Sequence, residues 1–118
     1  MVEAMILLDA NGPLPLKATF QSPSDGSVMF VLSGTAYTSL QPTVIGITLS
    51  LDGVVIGKPA TCFATTSYAI QTPAHWAVRT SFIAVDNLTP GEHTITVAAQ
   101  DYGTMTNQTD TFQVTLFY

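Results

Sequence analysis

The sequence predicts an all-β protein, a single antiparallel β-sandwich domain of about eight or nine short strands over residues 1–118. Three observations carry this. Thr, Val, Ile, Phe and Tyr are abundant, and these residue types suit a pleated, half-buried surface. Eight glycines and seven prolines punctuate the 118 residues, at the spacing of turns between short strands. No stretch of a dozen residues keeps a helical period, whereas several alternate apolar and polar.

The elements run in order along the chain. Glu3 to Leu8 is a short first strand, closed by the breakers Asn11-Gly12-Pro13. Leu16 to Phe20 is the second, and Ser22-Pro-Ser-Asp-Gly26 turns the chain. Ser27 to Ser33 places Val28, Phe30 and Leu32 on one face. Gly34 to Pro42 is a looser link carrying Tyr37. Val44 to Leu51 alternates most clearly, with Ile45, Ile47, Leu49 and Leu51 facing one way. Asp52-Gly53 supplies two positive-φ positions and predicts a type I′ hairpin to Val54–Gly57. Thr61 to Ala69 is a further strand, and His75 to Val85 reads as one long, bent strand. Asp86 to Gly91 is a turn, and His93 to Gln100 alternates with Ile95, Val97 and Ala99 aligned. Asp101 to Thr109 is a polar connection. Asp110 to Tyr118 is the last strand, with Phe112, Val114 and Leu116 on one face.

Composition excludes several functions. Three basic against eight acidic residues leave a net charge of −5, the wrong sign for a nucleic-acid footprint or an anionic membrane surface. The apolar runs are far shorter than a spanning helix, so no membrane insertion is expected. The N-terminus lacks the basic region of a signal peptide. Cys62 is the single cysteine. It reads as a small buried hydrophobe without a basic neighbour to activate it.

Several segments resemble bacterial immunoglobulin-like modules. They are Ser22-Pro-Ser-Asp-Gly26 leading to Leu32-Ser-Gly-Thr-Ala36, Ile47-Thr-Leu-Ser-Leu-Asp-Gly53 with Val55-Ile-Gly57, and Leu88-Thr-Pro-Gly-Glu-His-Thr-Ile-Thr-Val97 with Asp101 and Gly103. Phe112-Gln-Val-Thr-Leu116 fits their last strand, and the likeness runs in order over residues 18–117. It implies a spacer or binding module of adhesins, secreted hydrolases or phage structural proteins. It also implies an extracellular or surface-associated setting and no catalysis of its own. The stretch from Thr61 to Trp76 is longer than the family's usual link, and a module standing alone rather than in repeats is the expectation from these 118 residues. The strand count equally allows a jelly roll similar to those of virion heads and tumour-necrosis-factor-like lectins.

Candidate site residues are chosen on chemistry. Trp76, Tyr37, Tyr68 and Tyr102 fall at loops or strand ends, where aromatic faces stack on pyranose rings. His75 beside Trp76 adds a polar edge. The bland alternative for Trp76 is closure of the core. His93 reads as structural, its ring packed and its edge bonded to backbone. Asp101 and Asp110 flank one polar loop and are weak calcium candidates. The competing reading is that such residues bond the local backbone. No G-x-S-x-G elbow marks a nucleophile, and one Cys with two His does not make a zinc set. No cofactor and no catalytic residue are expected.

The reading is a non-enzymatic binding module, carbohydrate-binding or adhesive, acting as a homo-oligomer with a glycan or a surface protein as partner. The alternative is a structural component of a phage tail or surface appendage, and a small hydrolase ranks third. Phe117, Met29, Val31 and Ile83 fall on the outward parity of their strands and are the expected subunit contact.

Overall fold

The computed structural model describes residues 2–23, 26–39, 42–65 and 74–118. The strands are β1 (Ala4–Asn11), β2 (Leu16–Gln21), β3 (Val28–Ala36), β4 (Thr43–Leu51), β5 (Val54–Ala64), β6 (Trp76–Ala77), β7 (Ser81–Val85), β8 (Glu92–Ala99) and β9 (Thr111–Phe117). They form two antiparallel sheets. One runs β1-β9-β3, with β6 and β7 both on the far edge of β3, and the other runs β2-β8-β4-β5. No helix long and apolar enough to cross a membrane occurs among the described residues.

The chain changes sheet at most of its connections, and the β4–β5 hairpin is the tight exception. This is the jelly-roll order of two Greek keys. An immunoglobulin-like sandwich would instead pair its first two strands in one sheet. The turn and strand motifs behind the immunoglobulin-like resemblance are short-range features that both folds use. They do not record which sheet receives the next strand.

Alternation builds the core. Phe30 and Leu32 of β3, Ile45, Ile47 and Leu49 of β4, Ile95 and Val97 of β8, and Phe112, Val114 and Leu116 of β9 are all buried between the sheets. Phe20 meets Phe30 edge to face at 6.2 Å. Asp52 and Gly53 both take positive φ, 51° and 86°, as the two-residue hairpin requires.

Two irregularities separate the structure from a reading of local pattern. First, β5 runs unbroken through Gly57-Lys58-Pro59, which bulge out so that Leu49 pairs Ile56 while Ile47 pairs Ala60. Gly57 has φ 64°, and a Cβ there would lie 2.6 Å from the Ile83 side chain. The bulge bends β5 towards β7, where Ser81 Oγ donates to Lys58 O and Arg79 N–H to Thr61 O.

Second, the single long strand expected over His75–Val85 breaks at residues 78–80 into β6 and β7, both paired with β3. Val78 turns inward and its N–H bonds Gly34 O. This break resets the inward and outward parity of β7. Ile83, expected at a subunit contact, is therefore a core residue only 3% exposed, and its neighbours Phe82 and Ala84 face out instead.

Strands β1, β3, β5 and β8 end, and β2, β4, β6 and β9 begin, at one end of the sandwich. This loop end gathers the candidate site. The opposite end holds the 52–53 turn and both chain ends, where Glu3 and Tyr118 exchange backbone hydrogen bonds.

Candidate functional site

Asp110 is the anchor of the loop end. It directly precedes β9 and has no exposed surface. Its Oδ1 accepts from Thr35 Oγ1 at 2.7 Å and lies 2.7 Å from His75 Nδ1. Its Oδ2 accepts the Asn107 N–H at 2.9 Å. Thr35 Oγ1 in turn accepts the Thr111 N–H. A buried carboxylate is tolerated only with such donors around it, and they bind the end of β3, the start of β9 and the residue before β6 into one unit.

On that unit the rings are placed. The Tyr37 and His75 rings lie 4.6 Å apart, tilted by 44°. Tyr37 is fixed by two backbone hydrogen bonds to Met105, whose Sδ also accepts from Ser39 Oγ. Trp76 sits on β6 opposite Ala36, one residue before Tyr37, and is 37% exposed. His75 Nε2 has no hydrogen-bond partner among the described residues, because Nδ1 alone faces Asp110.

Tyr102 stands on a tight turn of the same connection that carries Met105 and Asp110. It is 92% exposed, yet its turn is pinned. Asp101 Oδ1 accepts from Gly103 N–H, Thr104 N–H and Thr104 Oγ1, and Thr104 Oγ1 accepts from Gly46 N–H.

The structure thus brings the Tyr37 and His75 rings together and places Trp76, next to His75 in the chain, and Tyr102 at the same end. Tyr68 lies outside the described residues. Asp101 and Asp110 carry protein donors on their carboxylates. Among the described residues, no group of three or more His, Cys, Asp or Glu side chains is positioned to hold a metal ion. Thr35 and Met105, which help hold the site together, escaped the sequence reading. They are unremarkable residues in polar stretches, and only the pairing of β3 with β9 reveals them.

His93 is remote from this end. Its Nδ1 lies 2.6 Å from Asp52 Oδ2 and its Nε2 2.7 Å from Thr89 O, with Phe20 packed beside the ring. The hydrogen bond to Asp52 comes first among the causes that raise its pKa, and the same bond lowers that of Asp52. Cys62 is partly buried against the core, and burial raises its thiol pKa.

The outer faces differ. That of the β2-β8-β4-β5 sheet is hydroxyl-rich, pairing Thr19 with Thr94 and Ser50 with Thr96. The outer face of the other sheet carries an apolar groove of about 530 Å³ near the chain termini. Met29, Val31 and Phe117 line it, together with Phe82, Ala84 and Val2. Nearer the loop end the same face holds a polar hollow of about 380 Å³, lined by Asp9, Ser33, Thr35, Thr80, Thr111 and Gln113 among others.

With this geometry established, comparison with known proteins is informative about fold. No protein-family model matches the sequence, and no curated protein matches it. Solved structures share the architecture. A family 35 carbohydrate binding module from Clostridium thermocellum superposes with a TM-score of 0.50 at 11% identity, over 96% of this chain and 90% of that one. The chain is a β-sandwich resembling a carbohydrate-binding module. The dimeric latent PorU of Porphyromonas gingivalis gives a TM-score of 0.56 at 11% identity over 98% of this chain. The chain spans only 12% of the PorU chain's length. Likeness at this identity is likeness of fold.

Proposed function

We propose that the chain is a non-catalytic sugar-binding module whose site lies at the loop end. The carrying observation is the Tyr37–His75 ring pair, anchored through Asp110, with the exposed Trp76 next to His75 in the chain. Pyranose faces stack on such rings, and the imidazole nitrogen that has no partner among the described residues can meet their hydroxyls. Pre-positioned side chains also reduce the ordering cost of binding. The likeness to a carbohydrate binding module supports this reading at the level of fold.

A hydrolytic role has less support. A serine- or cysteine-nucleophile arrangement needs that side chain hydrogen-bonded to the His, and among the described residues His75 has no such Ser or Cys partner.

The test is a glycan array followed by calorimetry on the sugars retained. Binding should fall at least about tenfold in Trp76→Ala, the loss of one stacking face, with the unfolding midpoint checked in parallel. A silent array would remove the sugar-binding reading. It would favour a structural subunit of a tail or appendage, a second reading for which the apolar groove speaks. Turnover of ester or glycoside substrates that disappears in His75→Ala would overturn both.

A further inference from the structure

The polar hollow and the ring pair lie on one face of one sheet. Thr35 pairs Ala77, and Ala36 pairs Trp76. One residue further, the same register sets Tyr37 against His75, whose rings are 4.6 Å apart. Side chains alternate across a strand, so Tyr37 and His75 share the face of Thr35 and Ala77, which line the hollow. That face is the outer one, since a Cβ on the intervening Gly34 would meet Phe112 and Ile47 of the core. The rings therefore stand two residues, about 7 Å, along the strands from the hollow. Thr35 joins the two: its hydroxyl donates to Asp110 Oδ1, the same oxygen that faces His75 Nδ1.

The hollow exists because the far edge of β3 is interrupted. Between β6 and β7 the chain turns Val78 inward, and its N–H bonds Gly34 O. Ser33, Thr35 and Ala77 are small and keep the floor low, while Asp9, Thr80 and Gln113 are exposed around it. Its volume of about 380 Å³ is at the small end of ligand pockets, room for one sugar unit.

The lining selects a class of ligand. None of the three basic residues, Lys17, Lys58 and Arg79, lines the hollow, so an anionic group would face the Asp9 carboxylate without a counter-charge. An apolar group would leave Asp9 and Gln113 desolvated and unbonded. One carboxylate is too few for a divalent cation. A neutral, hydroxyl-rich unit meets every group: the carboxylate accepts, the Gln113 amide donates and accepts, and the Ser and Thr hydroxyls do both.

We infer that the hollow is a second subsite, so that this face takes a neutral oligosaccharide of two or more units, one stacked on the Tyr37–His75 rings and the next bonded in the hollow. This rests on the sugar-binding reading and adds to it a dependence on chain length and charge.

The test is calorimetry of the full chain with neutral glucose, xylose, mannose and galactose oligomers, from single units to tetramers, and with galacturonic acid oligomers of matching length. For the neutral sugar retained, affinity should rise about tenfold or more from the single unit to the trimer, the worth of one or two net hydrogen bonds. Asp9→Ala and Gln113→Ala should each remove most of that gain, with the affinity for the single unit and the unfolding midpoint unchanged. Thr19→Ala, on the outer face of the other sheet, should preserve it. Galacturonate oligomers should bind more weakly than neutral ones, and Asp9→Asn should narrow the difference. Affinity independent of length, a gain intact in both hollow variants, or a preference for galacturonate would overturn the inference and leave the ring site standing. Absence of binding by every sugar would overturn the sugar-binding reading itself, and this inference with it.

Discussion

His75 Nδ1 and Asp110 Oδ1 stand 2.7 Å apart, and the carboxylate has no contact with solvent. Removing that carboxylate would strand the Thr35 hydroxyl, the Asn107 N–H and the His75 ring at once. Asp110→Ala should therefore destabilise the chain by about 2–4 kcal/mol, measured by urea unfolding. His75→Ala leaves the carboxylate bonded to Thr35 and Asn107 and should cost clearly less. Equal losses in the two variants would mean that the pair, rather than the buried carboxylate, carries the stability.

The second histidine predicts a pH profile. His93 is held above its ordinary 6.5 chiefly by the Asp52 carboxylate, helped by the Thr89 carbonyl. The folded chain thus binds this proton more tightly than the unfolded one. The resulting stability is complete below about pH 6.5 and is lost as pH rises through the raised value. Asp52 is held below its ordinary 3.8 by His93 and by the Thr94 N–H. Its contribution is present above that value and is lost as pH falls through the lowered one. The unfolding midpoint should peak between roughly pH 4 and 6.5. Because Asp52 is half-exposed, solvent screening keeps the effect modest, and salt should reduce it. His93→Gln should flatten the fall on the alkaline side. A profile unchanged in that variant would detach the pH dependence from this pair.

Much of this sandwich was legible because its strands obey one rule. Ile45, Ile47 and Leu49 alternate, and all three are core. Asp52-Gly53 announces its hairpin by turn chemistry alone. The features that depend on distant parts of the chain were not legible. The parity of Ile83 could not be read because the break that resets it is made by Val78 turning inward and bonding Gly34 of β3. The strand order was hidden because pairing partners are set by the whole core rather than by local motif. At the loop end, aromatic residues in polar stretches drew attention to Tyr37, His75 and Trp76. Asp110 was noticed as a calcium candidate or as a residue bonding its local backbone, and its bond to the Asn107 N–H is of the second kind, but its contacts with Thr35 and His75 were not legible. An aspartate opening a strand reads as a metal or turn ligand until β3 is known to bring Thr35 against it.

Gly57 is required for two independent reasons, its positive φ and the 2.6 Å approach that a Cβ would make to Ile83. Gly57→Ala should cost about 2–4 kcal/mol, summing left-handed backbone strain and overpacking. Ile83→Val removes one methyl from the crowded side. The double variant Gly57→Ala/Ile83→Val should therefore recover part of the loss, and thermal unfolding of the set of variants reads it directly. Strict additivity would show that backbone strain alone disfavours the alanine.

Tyr102 and Trp76 separate binding from stability. Tyr102 is almost fully exposed, on a turn whose hydrogen bonds come from Asp101 and Thr104 rather than from its own side chain. Tyr102→Ala should leave the unfolding free energy within about 0.5 kcal/mol. Trp76 is 37% exposed at the β3 edge and covers apolar surface with the rest of its ring, and truncating it to alanine should cost about 1–3 kcal/mol. If both rings stack on sugar, both variants lose affinity while only one loses stability. That divergence distinguishes a binding surface from a core cap. Loss of binding in Trp76→Ala alone would confine the site to the Tyr37–His75–Trp76 group. Loss of stability in Tyr102→Ala would show that the turn depends on its aromatic side chain, contrary to the bonding pattern that pins it.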